Sequence, residues 1–538
     1  MKRRSFLTQT AVGAFAFSGL SGKAFAQDAP VEPDKVPMQG ENTQPAEPQE
    51  SFSFDKLTEQ MRVKASKPYS APAENVPEAF QKLDYDGYRA VRYDPNKAIW
   101  RDRSAFQLHV FPLGWLFKTP VDIYEVAGGE AEKQVFSADD FIFQPPLNPA
   151  DFSGVELPGV AGFRINYPLN RPDVSDELIS FLGSSYFRAL GEGNIYGLSA
   201  RGLAVNTATP SGEEFPRFSA FYVVRPETGT EKITVFAALD GPSVTGAYRF
   251  IITPGMNTRM EVTARLFFRN EIERLGVAPM TSMYLFGPAN HHAFDDYRER
   301  VHDSEGLKIV RADGTELWRS LHNGKKLANS YFSETSPRAF GLYQRHRDFE
   351  DYQDAEAHYE RRPSLLVEPL SDWGEGNISL VEIPTDKEVN DNIVCFWQPK
   401  EKPQAGGSAE YSYRLTWGAI EEDRSRLARV VEVRSGEGGV SGGNSADGVR
   451  KLIVDFAGGA LDDAVASAKI SERLHVTNGE VVHSTVSAIR NENIWRLAID
   501  IKPDGDKPVE IVGALTNGDR DISEVWLYQW RMGDDQPN

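Results

Sequence analysis

From Ala105 to Arg269 the chain is cut into short runs such as "AFQLHVFPLGW", "VDIYEV", "KITVFAALD", "AYRFIITPG" and "RMEVTARLFFR", with Gly, Pro and Asn between them. A helix needs ten or more residues with apolar positions three and four apart, and punctuation this dense rarely leaves that room. Each run has strand length and is rich in β-branched and aromatic residues. The same texture returns near the C-terminus in "YSYRLTW", "LARVVEVRS", "RKLIVDFAG", "EVVHSTVSAI", "IWRLAIDIK", "PVEIVGAL" and "EVWLYQW". Many strands with few helices predict an all-β fold, a large sandwich or barrel. The clearest helical signal is "SDELISFLG", with Ser175 as N-cap and Asp176 and Glu177 in the first turn.

Composition shifts suggest where the chain divides. "PKEKPQAGGSAE" (399–410) reads as a linker, with a large β domain over 51–398 before it. After it, 411–538 holds about seven strands at the spacing of an immunoglobulin-like sandwich. "SGEGGVSGGNSADG" (435–448) reads as a flexible loop within that second domain. Residues 27–50 hold five prolines and no aromatic residue, the signature of a disordered spacer. Ahead of them, Arg3-Arg4, a short apolar run and Ala24-Phe25-Ala26 read as a twin-arginine-type signal peptide over 1–26, and so as export to the periplasm.

Net charge is −19, a surface that repels nucleic acid and anionic lipid but not a neutral sugar. No apolar stretch is long enough to span a bilayer, so membrane insertion is not expected. Cys395 is the only cysteine, which excludes an intrachain disulfide and predicts a buried, inert thiol. The glycines of "LGEGNIYG" (190–197) fit neither nucleotide-binding fingerprint and read as turn residues. His291-His292 with Asp295 and Asp296 reads as a solvated loop, and Asp386, Glu388 and Asp391 lack calcium-loop spacing. No metal or cofactor is expected.

Carboxylate chemistry is the stronger option. Glycoside hydrolysis needs two carboxyl groups about the scissile bond, one protonated and one ionised, with aromatic planes to hold the sugar. Candidates are Asp303 in "VHDSEGL", the acids around Trp373 in "EPLSDWGEG", and Glu388 and Asp391 in "EVNDN". Trp397 could be a sugar platform or, more commonly for such a residue, core. Residue types alone do not choose among these acids.

Longer blocks narrow the choice. They include "SSYFRALGEGNIYGLSARGLAVNT", "LGVAPMTSMYLFGP", "GLYQRHRDFEDYQDAEAHYERRPS" and "WGEGNISLVEIPTDKEVNDNIVCFW". Together they resemble the periplasmic glucan biosynthesis proteins G and D (OpgG/MdoG and OpgD/MdoD) from about residue 52 to 530. The resemblance implies a cleft-bearing N-terminal β-sandwich joined to an immunoglobulin-like domain. It also implies action on β-1,2-glucan, either by inverting hydrolysis or by transglycosylation that closes a ring through an α-1,6 link. By the family's motif the general acid falls on Asp391 and the base, acting through a relay, on Asp303. Glu388 and Tyr359 fall beside the reacting sugar, and Trp373, Arg347, Tyr186 and Arg201 are expected to bind substrate. Val389 stands where the family pattern has Thr. A local reading assigns Glu388, three residues from Asp391, the like charge that keeps the acid protonated. The partner implied is β-1,2-glucan; a homodimer and contact with an inner-membrane glucan synthase stay open. A non-catalytic glucan carrier or scaffold using the same cleft is the competing function.

Overall fold

A computed structural model describes residues 51–420, 426–439, 448–462, 464, 469–489 and 492–534. The expected leader (1–26) and spacer (27–50), and residues 440–447 of the expected loop, lie outside the described residues. The start of that loop continues the Arg429–Glu437 strand.

The fold is all-β. A ten-stranded sheet and a fifteen-stranded sheet dominate it. Their inner faces meet through aromatic pairs: Phe163 lies 4.9 Å from Phe221, and Phe181 lies 5.3 Å from Phe250, ring centre to ring centre. Edge-to-face rings of this kind fill the space between sheets with favourable quadrupole contacts. The arrangement is a sandwich. Toward the C-terminus a four-stranded sheet covers a second core. Leu452, Val454 and Leu497 from that sheet pack with Ile511, Trp526 and Trp530 from strands Val509–Asn517 and Val525–Trp530.

Three features depart from the sequence reading. "SDELISFLG" is not a helix: Asp176–Leu182 is a strand between Gly162–Tyr167 and Tyr186–Ala189. Leu178 through Phe181 are all buried, and an apolar run covered on both faces carries no period that separates strand from helix. The linker at 399–410 and the domain start at 411 do not match the sheet either. Ser408–Gly418 is a central strand of the large sheet, paired with Thr258–Phe268 on one side and Ser364–Pro369 on the other. The sheet then runs on into the C-terminal strands, because Val525–Trp530 pairs in parallel with Glu316–Ser320. Lastly, Phe54–Ala65 is a helix capped by Ser53, burying Leu57 and Met61 one turn apart against Ala238 and Ala247. Among the described residues no helix is long and apolar enough to cross a membrane.

Candidate active site

Strand register builds the site. Tyr186 pairs with Arg201, Ser199 with Thr281, and Ser282 with Ile393, so four strands lie side by side in the interior of the ten-stranded sheet. Asp391 stands two residues before that last strand, after a polar turn. The chain leaving Ser282 enters Tyr284–Phe286, which pairs with Val301–His302, and Asp303 follows directly. The Asp303 N–H donates to the Met283 carbonyl at 2.8 Å. Two acids far apart in sequence thus share one buried place, with Asp391 7% and Asp303 4% exposed.

Their surroundings treat them differently. Burial pushes the Asp391 carboxyl up to about 7, with the Asp303 charge adding to the rise and Arg188, Arg201 and Arg362 opposing it. Asp303 is ion-paired with Arg362, whose guanidinium lies 4.0 Å over the Tyr359 ring. His302, stacked on Tyr284 at 5.5 Å, is pushed down to about 4 by burial and stays neutral near pH 7. Its Nδ1 lies 2.8 Å from Gln344 Oε1, and Gln344 Nε2 donates to the Tyr359 carbonyl at 2.6 Å. That chain ties the Tyr359 segment to the strand carrying Asp303.

Arg201 is 2% exposed, lies 4.7 Å over the Tyr186 ring, and donates to Thr281 Oγ1 and Glu213 Oε1 at 2.9 and 2.7 Å. Burial pushes the Tyr186 hydroxyl up to about 12, so it remains protonated. Arg201 Nη2, Tyr186 Oη and Arg362 Nε are buried without a hydrogen-bond partner among the described residues. Orphaned donors of this kind suit a ligand rich in hydroxyl oxygens. Three guanidinium groups around two carboxylates also disfavour a divalent cation here.

The chain matches the family described as "Periplasmic glucan biosynthesis protein, MdoG" over residues 52–530. It belongs to that family. Glucans biosynthesis protein G from Cereibacter sphaeroides is 50% identical over 522 residues, spanning 96% of this chain and 95% of that protein. Membership supports a role in glucan biosynthesis and a periplasmic location. Among solved structures, a polysaccharide lyase covers 69% of this chain and 44% of its own, at 9% identity and a TM-score of 0.21.

Of the residues expected at the site, Asp391, Asp303, Tyr359, Tyr186 and Arg201 come together. Glu388 stands at the rim. Its carboxylate is 46% exposed and pairs at 3.0 Å with Arg298, which also holds Asp296 and Asp354. The like charge that raises Asp391 is Asp303 rather than Glu388. Arg347 donates to the carbonyls of Glu360 and Arg362 and to Ser364 Oγ, bracing the segment that carries Arg362. Trp373 is core, edge-on to Tyr411 and Tyr413 at 5.8 Å each and 6.0 Å from Trp397. Trp397, fully buried, sits six residues past Asp391, roughly 20 Å along a strand. Cys395 on the same strand is buried as expected. Sequence reasoning missed Arg188, Arg362 and Glu213. Arg188 and Arg362 lie within the family-like blocks, but only pairing shows that their charges meet at Asp391.

Proposed function

We propose that this protein processes the β-1,2-glucan backbone by an inverting carboxylate mechanism, as a glucanase or as a ring-closing transglycosylase. The observation that carries the reading is the unequal buried pair. Asp391 keeps its proton to near pH 7, while the Asp303 carboxylate is paired with the Arg362 guanidinium. Two carboxyl groups in unequal surroundings, one buried and holding its proton and one paired with an arginine, suit general acid–base work on a glycoside. Asp391 delivers its proton to the departing sugar oxygen. Asp303 accepts, through a relay, the proton of the attacking nucleophile, which is water in hydrolysis and a sugar hydroxyl in ring closure. Tyr186, Arg201 and Arg362 offer donors to the hydroxyls of the bound sugar, and Glu388 borders it from the rim. The route to the periplasm is the twin-arginine-type leader.

Mass spectrometry of products from linear β-1,2-glucan tests the reading. Hydrolysis yields shorter open chains, whereas cyclisation yields species one water lighter than open chains of equal length. Binding with no change in substrate mass would establish the carrier reading instead.

A further inference from the structure

Asn392 is 1% exposed and follows Asp391 directly. Its Oδ1 accepts the Tyr284 N–H at 2.8 Å. Its Nδ2 donates to the carbonyls of Tyr284 and Ile383 at 2.9 and 3.1 Å. Its own carbonyl accepts the Ile383 N–H at 2.8 Å. The side chain therefore exchanges both hydrogen bonds with one residue, as a backbone peptide does in an antiparallel ladder.

It does so where the real ladder stops. Ser282 and Ile393 form the last pair between their strands, and Tyr284 has already turned to pair with His302. Without the amide, nothing in this ladder would link the residue beside Asp391 to the Met283–Tyr284 turn. That turn also holds Asp303, through its N–H on the Met283 carbonyl. The two acids thus hang from consecutive residues, one through a side-chain amide and one through the backbone.

We propose that Asn392 is a positioning residue whose side-chain amide, by gripping Tyr284, sets the separation between Asp391 and Asp303. This rests on the acid–base reading of that pair. The groups facing Asp391 are Tyr186 and Arg188 from one strand, Arg201 with its partner Glu213 from the next, Arg362 from the Tyr359 segment, and Asp303. Asn392 places Asp391 against Asp303 in particular, so its loss moves the like charge away.

The test is Asn392→Ala in the full-length protein. A displacement of about 1 Å costs on the order of 10²-fold in turnover, so kcat on β-1,2-glucan falls by about that factor with KM little changed. The high-pH limb of the activity profile moves to lower pH, because Asp391 loses the charge that holds its proton. NMR of carboxyl-labelled aspartate, assigned against Asp391→Asn, shows the same downward move without requiring turnover. An inactive wild type would therefore sink the glucanase reading while this measurement still decided the positioning role. Where the alanine variant does not fold, Asn392→Ser, which keeps one hydroxyl for Tyr284, is read in the same way. A lowered melting temperature with unchanged turnover per folded molecule and an unmoved limb would overturn the proposal.

Discussion

Asp391→Asn should make the protein slower and, above neutral pH, more stable. The amide keeps the shape and removes the titrating proton, so leaving-group protonation fails. General acid–base assistance is typically worth ~10²–10⁴-fold, and a poor sugar leaving group puts the loss near the top of that range. The stability effect has a definite sign. In the folded protein Asp391 holds its proton to about 7, against 3.8 for an ordinary aspartate. Between these values the folded state binds more protons than the unfolded chain, so raising pH through the window lowers stability. Below the window there is no penalty; above it the penalty is complete. At ~1.4 kcal/mol per pH unit it amounts to about 4 kcal/mol at most. Asn carries no such cost, so the variant should gain stability at pH 8 and little at pH 4. Thermal unfolding of both proteins across that range, beside turnover on β-1,2-glucan, checks both halves. Undiminished turnover in a folded variant would end the general-acid assignment. A variant no more stable than wild type at pH 8 would refute the buried, protonated acid.

Three more substitutions separate the surrounding roles. Asp303→Asn removes the like charge, so the high-pH limb of activity should move to lower pH; it also leaves Arg362 buried and unpaired, a loss of about 3–5 kcal/mol readable in denaturant titrations. Glu388→Gln should change stability by less than ~1 kcal/mol, because the carboxylate is half exposed and Arg298 keeps two other acids. Its pH profile should overlay the wild type, and a shift as large as that of Asp303→Asn would make Glu388 the tuning charge after all. Trp373→Ala should cost about 3–5 kcal/mol in stability, while calorimetry of the folded variant should show unchanged glucan affinity; weakened binding would return Trp373 to the cleft.

The all-β class was legible because it follows from local chemistry. Gly, Pro and Asn cut the chain too often for helices, and β-branched and aromatic runs suit a pleated, half-buried surface. Asp391 and Asp303 were legible as acids in motif blocks, and Tyr186, Arg201 and Tyr359 as their neighbours by family likeness. What stayed hidden depends on partners distant in sequence. "SDELISFLG" carries a good helix start, yet two flanking strands claim it. "YSYRLTW" follows a linker-like stretch, yet its ladder partners lie far upstream. The same holds for charge. Glu388 is three residues from Asp391, but its side chain turns to Arg298, while Asp303, remote in the chain, comes alongside through the Met283–Tyr284 turn. Burial and Coulomb interactions act through space, so an acid's proton is held by whatever the sheet register brings near it. The sequence by itself determined which groups were present and that they would lie on strands and turns. Only the tertiary structure decided which carboxyl would be stripped of water beside a like charge, and which would be given an arginine.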